Sequence, residues 1–144
     1  MATEKTATAT WEGSLAAGSG HVSLGSGAAT GLAVTWKDRA EDGDGTSPEE
    51  LIAGAHASCI LMALAGGLAR AGTPPTKLES EAKTTFDKVG DAFAITRIDL
   101  TIRGQVDGID EDAFREAAEG AKENCPVSRA LKGSVEIALD ASLV

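Results

Sequence analysis

The chain has 144 residues, of which 42% are hydrophobic and 24% are charged, a composition typical of one soluble globular domain. Its net charge of −9 is spread along the chain without a stripe of Lys or Arg, which disfavours nucleic acid and anionic membrane surfaces as partners. The polar first residues lack the apolar stretch of a signal peptide, and the longest apolar run, residues 60–69, is too short to span a bilayer. We therefore expect a single domain over residues 1–144, located in the cytoplasm.

The first third of the chain predicts short strands between glycine- and serine-rich turns. The strand candidates are residues 7–13, 21–24 and 32–36. A charged loop over residues 37–46 then contains Arg39. Ser47, Pro48 and the two acids that follow are typical of a helix start, because Ser caps the helix and Pro suits its first position. This central helix should run to about residue 71, where Gly72 and two prolines end it.

Alternating hydrophobic residues in the second half predict a long β-hairpin over residues 78–88 and 92–103, joined at Gly90. Residues 109–122 have the pattern of an amphipathic helix with an acidic start. The sequence Asn-Cys-Pro at 124–126 interrupts it, and residues 127–131 predict one more short helix. A last strand is expected over residues 134–139. The order of strands, helix, hairpin, helix and strand indicates the α+β class.

The central helix is apolar most of the way round, which is typical of a buried helix. It nevertheless contains Gly54, Gly66 and Gly67, each of which costs about 1 kcal/mol relative to Ala. These glycines suggest a close neighbour. That neighbour is either the same helix of a second chain or another part of a tightly packed single chain.

The two cysteines, Cys59 and Cys125, are the main candidates for chemistry. In a reducing compartment such a pair is more often free thiols or a redox couple than a structural disulfide. Cys59 lies in the middle of the central helix, where a free cysteine is usually an inert small hydrophobe. Cys125 precedes Pro126 at a helix start, where unpaired backbone N–H groups favour a thiolate. The alternative for Cys125 is that it simply terminates a helix.

Arg39 and Glu49 could assist a reactive thiol. A guanidinium near a thiolate lowers its pKa and can stabilise the oxygen that leaves when an O–O bond breaks, and a carboxylate can hold the guanidinium in a two-point contact. Ten residues of straight helix separate Glu49 from Cys59, about 15 Å. If the two act together, we expect the carboxylate to come from a partner chain. Otherwise Arg39 is a solvated loop charge and Glu49 a first-turn acid that the helix dipole favours.

His56 precedes Cys59 by three residues, so their side chains are neighbours on the helix. Together with Cys125 they could supply three ligands to zinc. Structural zinc normally takes four, and the further candidates are only His21 or a carboxylate. A structural or hydrogen-bonding role for His56 is therefore favoured, and we expect neither a metal nor a cofactor.

Two segments resemble the signature of the OsmC branch of the OsmC/organic-hydroperoxide-resistance (Ohr) superfamily. They are GTSPEELIAGAHASC at residues 45–59 and AKENCPVSRAL at residues 121–131. Two supporting stretches are ATWEG at residues 9–13 and DAFAIT at residues 91–96. Together these segments span nearly the whole chain in order, and the two that contain cysteine are specific.

The resemblance implies an α+β intertwined homodimer, with an antiparallel β-sheet wrapped around a buried central helix and two active sites at the interface. It also implies a thiol peroxidase of oxidative and osmotic stress defence that reduces organic hydroperoxides to alcohols, and hydrogen peroxide less well. By this analogy Cys59 attacks the peroxide and becomes a sulfenic acid, and Cys125 then closes a disulfide with it. A dithiol reductant regenerates the pair, and lipoylated proteins are candidates for that role.

The same resemblance assigns the two charged residues. Arg39 matches the arginine that activates the thiolate, at the loop position used by the OsmC branch. Glu49 matches the acid that holds this arginine, and it is preferred to Glu50 because the family acid directly follows the proline. The competing hypothesis is a non-catalytic stress or small-ligand-binding protein on the same scaffold, in which the thiols are structural.

Overall fold

The computed structural model describes residues 1–144, which form two compact units, residues 1–51 and 52–144. The mixture of strands and helices confirms the predicted α+β class. In chain order the elements are β1 (Ala7–Glu12), β2 (Ser19–Leu24), β3 (Leu32–Val34), α1 (Trp36–Ala40), α2 (Pro48–Arg70), β4 (Lys77–Val89), β5 (Ala92–Gln105), α3 (Glu111–Asn124), α4 (Pro126–Leu131) and β6 (Glu136–Leu143).

The first unit contains a three-stranded antiparallel sheet in the order β1-β2-β3. After β3 the structure differs from the sequence prediction, because Arg39 lies on the short helix α1 and not in a loop. Thr35 caps this helix by accepting a hydrogen bond from the backbone N–H of Asp38 at 3.1 Å. The Asp38 carboxylate accepts one from the Thr35 hydroxyl at 2.6 Å and one from the N–H of Gly45 at 2.9 Å. These hydrogen bonds hold the pKa of Asp38 below its ordinary value, the one from Thr35 having the largest effect.

Only glycine fits at position 45, where the chain contacts the N-terminal cap of α1. A Cβ atom there would lie 2.6 Å from the carbonyl oxygen of Ala33 and 2.5 Å from a carboxylate oxygen of Asp38. The capping hydrogen bonds therefore end α1 in a fixed geometry and lead the chain back towards the start of α2.

The second unit contains a sheet in the order β4-β5-β6. The predicted hairpin is present as β4 and β5, and it turns at Gly90, whose φ of 63° favours glycine. β6 pairs with β5 in parallel, which differs from the expected antiparallel sheet. The reason is the connection: α3 and α4 form a crossover that returns the chain to the end of the sheet where β5 begins.

The core of the second unit is built on one stripe of α2. His56, Ile60, Leu64 and Leu68 recur every four residues, and all are buried. They belong to a buried region that also includes inward residues of β5 and α3, namely Ile98, Leu100, Ile102, Phe114, Ala118 and Ala121.

The remainder of α2 is more open than the sequence prediction of a buried helix implies. Met62 is 68% exposed, and a Cβ atom added at Gly54 or Gly67 would meet no other atom within 4 Å. Tight packing inside one chain therefore does not explain these glycines. By length and composition alone this helix could also cross a membrane. The sequence prediction considers only the apolar run of residues 60–69, which is too short to do so. Its buried stripe is nevertheless part of a hydrophobic core, as in the core helix of a globular domain.

Candidate active site

The two cysteines, 66 positions apart in the sequence, meet in the second unit. Both are free thiols, and they hydrogen-bond to each other. Cys59 lies on α2 and is partly exposed, whereas Cys125 is completely buried. The helices therefore place the two sulfur atoms next to each other, which is the starting arrangement for thiol–disulfide chemistry.

Cys125 occupies the junction between α3 and α4. Its N–H donates to the carbonyl of Ala121 at 2.8 Å, and its own carbonyl accepts from the N–H of Arg129 at 2.9 Å. Pro126 forces the preceding residue out of the helical region, and Cys125 has an extended backbone with φ −61° and ψ 123°. The N–H groups of Val127 and Ser128 lie at the start of α4, where their interaction with the sulfur lowers the pKa of Cys125.

The surroundings of the two thiols shift their pKa values in opposite directions. Burial raises the pKa of Cys59, and its hydrogen bond with Cys125 adds to the rise, while the N–H of Val127 opposes it. Burial also raises the pKa of Cys125. Hydrogen bonds from the Ser128 N–H, the Cys59 thiol, the Ser128 hydroxyl and the Val127 N–H outweigh burial and leave that pKa below its ordinary value. Within one chain, the thiolate is therefore favoured on Cys125.

Sequence reasoning did not single out Ser128. Its hydroxyl oxygen lies 2.7 Å from Nε2 of His56, and both side chains are buried. This contact confirms the hydrogen-bonding role predicted for His56. Burial lowers the pKa of His56, so the ring is neutral near pH 7. The only sequence signal for Ser128 is its position three residues after Cys125, which is one turn into α4.

In the first unit, Arg39 and Glu49 form a two-point ion pair. Nε of Arg39 donates to both carboxylate oxygens of Glu49, at 3.1 and 3.3 Å, and Nη2 donates to Oε1 at 2.8 Å. Glu49 is buried, while the Arg39 side chain keeps about a third of its surface exposed. Glu50 instead accepts a hydrogen bond from the hydroxyl of Thr46 at 2.5 Å, so Glu49 is the partner of the arginine.

An apolar groove of about 600 Å³ lies beside this ion pair within the first unit. Its lining includes both tryptophans of the chain, other apolar residues and Arg39, namely Trp11, Leu15, Val34, Trp36, Arg39 and Leu51. Such a surface can bind an apolar group next to a positive charge.

The predicted site residues thus fall into two clusters. Arg39 and Glu49 form one in the first unit, and Cys59 and Cys125 form the other in the second unit, together with His56 and Ser128. No group of three His, Cys, Asp or Glu side chains is arranged as metal ligands. His56, which the sequence offered as a possible zinc ligand, is hydrogen-bonded to Ser128.

Comparison with known proteins gives one consistent family. The model of the OsmC-like protein family matches residues 41–140. Peroxiredoxin OsmC of Escherichia coli (strain K12) is 43% identical over 143 residues, which cover 99% of both chains. An organic hydroperoxide resistance protein of Xanthomonas axonopodis pv. citri (strain 306) is 26% identical over 98 residues, or 67% of each chain. The crystal structure of an organic hydroperoxide resistance protein from Elizabethkingia anophelis has the same fold, with a TM-score of 0.79 over 100% of both chains at 24% identity.

Proposed function

Because the chain belongs to the OsmC-like protein family, we propose that it reduces organic hydroperoxides to alcohols through Cys59 and Cys125. It is a cysteine-based peroxidase with a role in stress defence. The observation that supports the two-cysteine mechanism is the hydrogen bond between the two free thiols, because residues so far apart in sequence meet only if the fold brings them together.

The proposed cycle begins at Cys59, the partly exposed thiol. Its thiolate attacks the terminal oxygen of the hydroperoxide, so an S–O bond forms as the O–O bond breaks. The sulfur loses two electrons, and the alkoxide takes up a proton and leaves as the alcohol. The thiolate of Cys125 then attacks the sulfenic sulfur, and hydroxide leaves as water after protonation. An external dithiol reduces the disulfide and is itself oxidised to a disulfide, and lipoylated proteins are candidates for it.

The raised pKa of Cys59 means that this thiol needs a cation to become a good nucleophile. We assign that role to Arg39, held in place by Glu49. The same guanidinium would stabilise negative charge on the departing oxygen. Glu49 and Cys59 are ten residues apart on the continuous helix α2, about 15 Å. We therefore propose that the ion pair of one chain serves the thiols of its partner.

A homodimer is the assembly that this requires. The open face of α2, with exposed Met62 and the unfilled space at Gly54, supports a second chain packing there. The apolar groove beside Arg39 supports an organic substrate in preference to hydrogen peroxide. Hydrogen peroxide is small and polar, so contact with apolar side chains adds nothing to its binding energy. We place the enzyme in the cytoplasm, where thiols stay reduced.

The deciding experiment adds one equivalent of cumene hydroperoxide to the reduced protein and follows free thiols and intact mass. Rapid loss of both thiols with a mass decrease of about 2 Da is expected for an intramolecular disulfide. The Cys59→Ser and Cys125→Ser variants are the controls, since neither can form that bond. Thiols that survive minutes of exposure in the wild type would exclude the proposal and favour a non-catalytic binding protein.

A further inference from the structure

A continuous line of hydrogen bonds leads from α2 to the sulfur of Cys125. Nε2 of His56 lies 2.7 Å from the hydroxyl oxygen of Ser128, and that hydroxyl hydrogen-bonds to the Cys125 thiol. His56, Ser128 and Cys125 are all buried, so water does not compete with these contacts. The chain of contacts joins the helix that holds Cys59 to the helix that begins beside Cys125.

The direction of these hydrogen bonds follows from the histidine ring. Nδ1 of His56 is buried and has no hydrogen-bond partner, so a proton on Nδ1 would be left without an acceptor. The neutral ring therefore holds its proton on Nε2 and donates it to the oxygen of Ser128. Since that oxygen already accepts from His56, the proton of the Ser128 hydroxyl is available to donate to the sulfur of Cys125.

We propose that His56 and Ser128 form a relay that stabilises the thiolate of Cys125 and so prepares it to attack the oxidised sulfur of Cys59. Ser128 contacts the reacting sulfur, and His56 is a positioning residue that acts through Ser128. The inference rests on the proposed function in that Cys125 is the resolving thiol. The step that it assists forms the S–S bond, breaks the S–O bond of the Cys59 sulfenic acid and releases hydroxide, which is protonated to water.

A buried His–Ser pair can also serve packing alone, and the two roles predict different behaviour of Cys125. If the relay operates, the acidity of Cys125 depends on a donor at position 56 and on a hydroxyl at position 128. If the pair only fills space, a side chain of similar volume at position 56 leaves that acidity unchanged.

The test uses the Cys59→Ser variant, in which Cys125 is the only thiol and no peroxidase turnover is needed. The ultraviolet absorbance of the thiolate is followed against pH, and the absence of tyrosine from the chain removes the usual overlapping titration. In this background, Ser128→Ala should move the midpoint up by about one pH unit, the effect of losing one hydrogen bond to a charged group, and His56→Leu should move it in the same direction. His56→Gln keeps an N–H donor and should restore most of the difference.

Ser80→Ala is the matched control, because the Ser80 hydroxyl also anchors α2, by donating to the carbonyl of Ala57 at 2.9 Å, but is not among the groups that hydrogen-bond to either thiol. Its midpoint should equal that of the parent. Adding His56→Leu to Ser128→Ala should give no further change, since His56 acts through Ser128. If His56→Leu does not fold, the smaller His56→Ala takes its place beside Ser128→Ala.

The relay is overturned if Ser128→Ala or a folded His56→Leu leaves the midpoint in place, or if Ser80→Ala moves it equally. Failure of the relay in this titration leaves the peroxidase proposal intact, because that proposal depends on the separate reaction of the wild type with cumene hydroperoxide. Conversely, a midpoint that depends on Ser128, together with wild-type thiols that survive cumene hydroperoxide, would support the relay and reject the peroxidase.

Discussion

Arg39 binds Glu49 through both Nε and Nη2, and the carboxylate that receives these hydrogen bonds is buried. A buried carboxylate needs such a partner, because an unpaired charge in the interior is costly. The Arg39 side chain keeps part of its surface exposed. The pair therefore fixes a positive charge in place, as the proposed activation of Cys59 requires.

Arg39→Ala should reduce both stability and reactivity. It leaves Glu49 buried without its partner, and we expect a loss of about 2 kcal/mol in the free energy of unfolding, less than for a fully buried pair because Arg39 is partly exposed. The rate of Cys59 oxidation, measured in single turnover, should fall by about tenfold or more. Arg39→Lys keeps the charge but loses the two-point contact, and its rate should be intermediate. Equal oxidation rates in all three proteins would show that Arg39 has no part in the reaction.

The Cys59→Ser and Cys125→Ser variants should lose different steps of the reaction. Cys59→Ser should abolish turnover and any sulfenic intermediate, as detected by trapping with dimedone and mass spectrometry. Cys125→Ser should allow one oxidation of Cys59 and leave a trappable sulfenic acid, but it should not recycle efficiently with a dithiol. Turnover in Cys59→Ser equal to that of the wild type would reject the mechanism.

The Gly54→Ala variant distinguishes a monomer from a dimer, because the two assemblies predict opposite effects. In one chain the added methyl group meets nothing, so Ala should stabilise α2 by about 1 kcal/mol. We expect the opposite, with the dimer weakened by about tenfold in its dissociation constant as measured by sedimentation, because the proposed dimer places a second helix in that space. Gly120→Ala is the matched control on α3, where the space is also open, and it should stabilise the protein. A Gly54→Ala protein that is as stabilised as the control, with unchanged association, would argue against packing of α2 on α2.

Stability should decrease in mild acid because of His56. Burial lowers its pKa from the ordinary value of 6.5, so the unfolded chain binds a proton at a pH where the folded chain does not. As the pH falls below 6.5, the free energy of unfolding should drop by at most about 1.4 kcal/mol per pH unit from this group, until the lower folded pKa is reached.

The measurement for His56 is urea unfolding of the reduced wild type and of His56→Gln from neutral pH to about pH 5. The variant lacks the titrating ring, so its stability should decrease less over this range. Parallel curves for the two proteins would mean that His56 is not buried as a neutral ring.

Much of the fold could be predicted because glycine, proline and capping residues mark its boundaries. Pro48 and Gly72 delimit α2, and Gly90 marks the hairpin turn. The helix that holds Arg39 was missed because its cap is completed by Gly45, seven residues beyond Asp38. Parallel pairing of β6 depends on where the crossover returns, and no local pattern encodes that.

The candidate site was less accessible to sequence reasoning. The spacing of Cys59 and Cys125 does not exclude that both thiols are unreactive, and their pairing is predicted only by the family resemblance. The contact between His56 and Ser128 joins residues 72 positions apart, and neither residue type signals it. Tertiary contacts of this kind have no periodicity to detect.

The difference in exposure between the two sulfurs sets the order in which they can be oxidised. Cys125 is the more acidic thiol but has no surface open to solvent, whereas Cys59 is less acidic and within reach. An oxidant that arrives from solution therefore meets the weaker acid first. The fold separates acidity from accessibility, so in the proposed cycle the second sulfur is shielded from overoxidation until its neighbour has reacted.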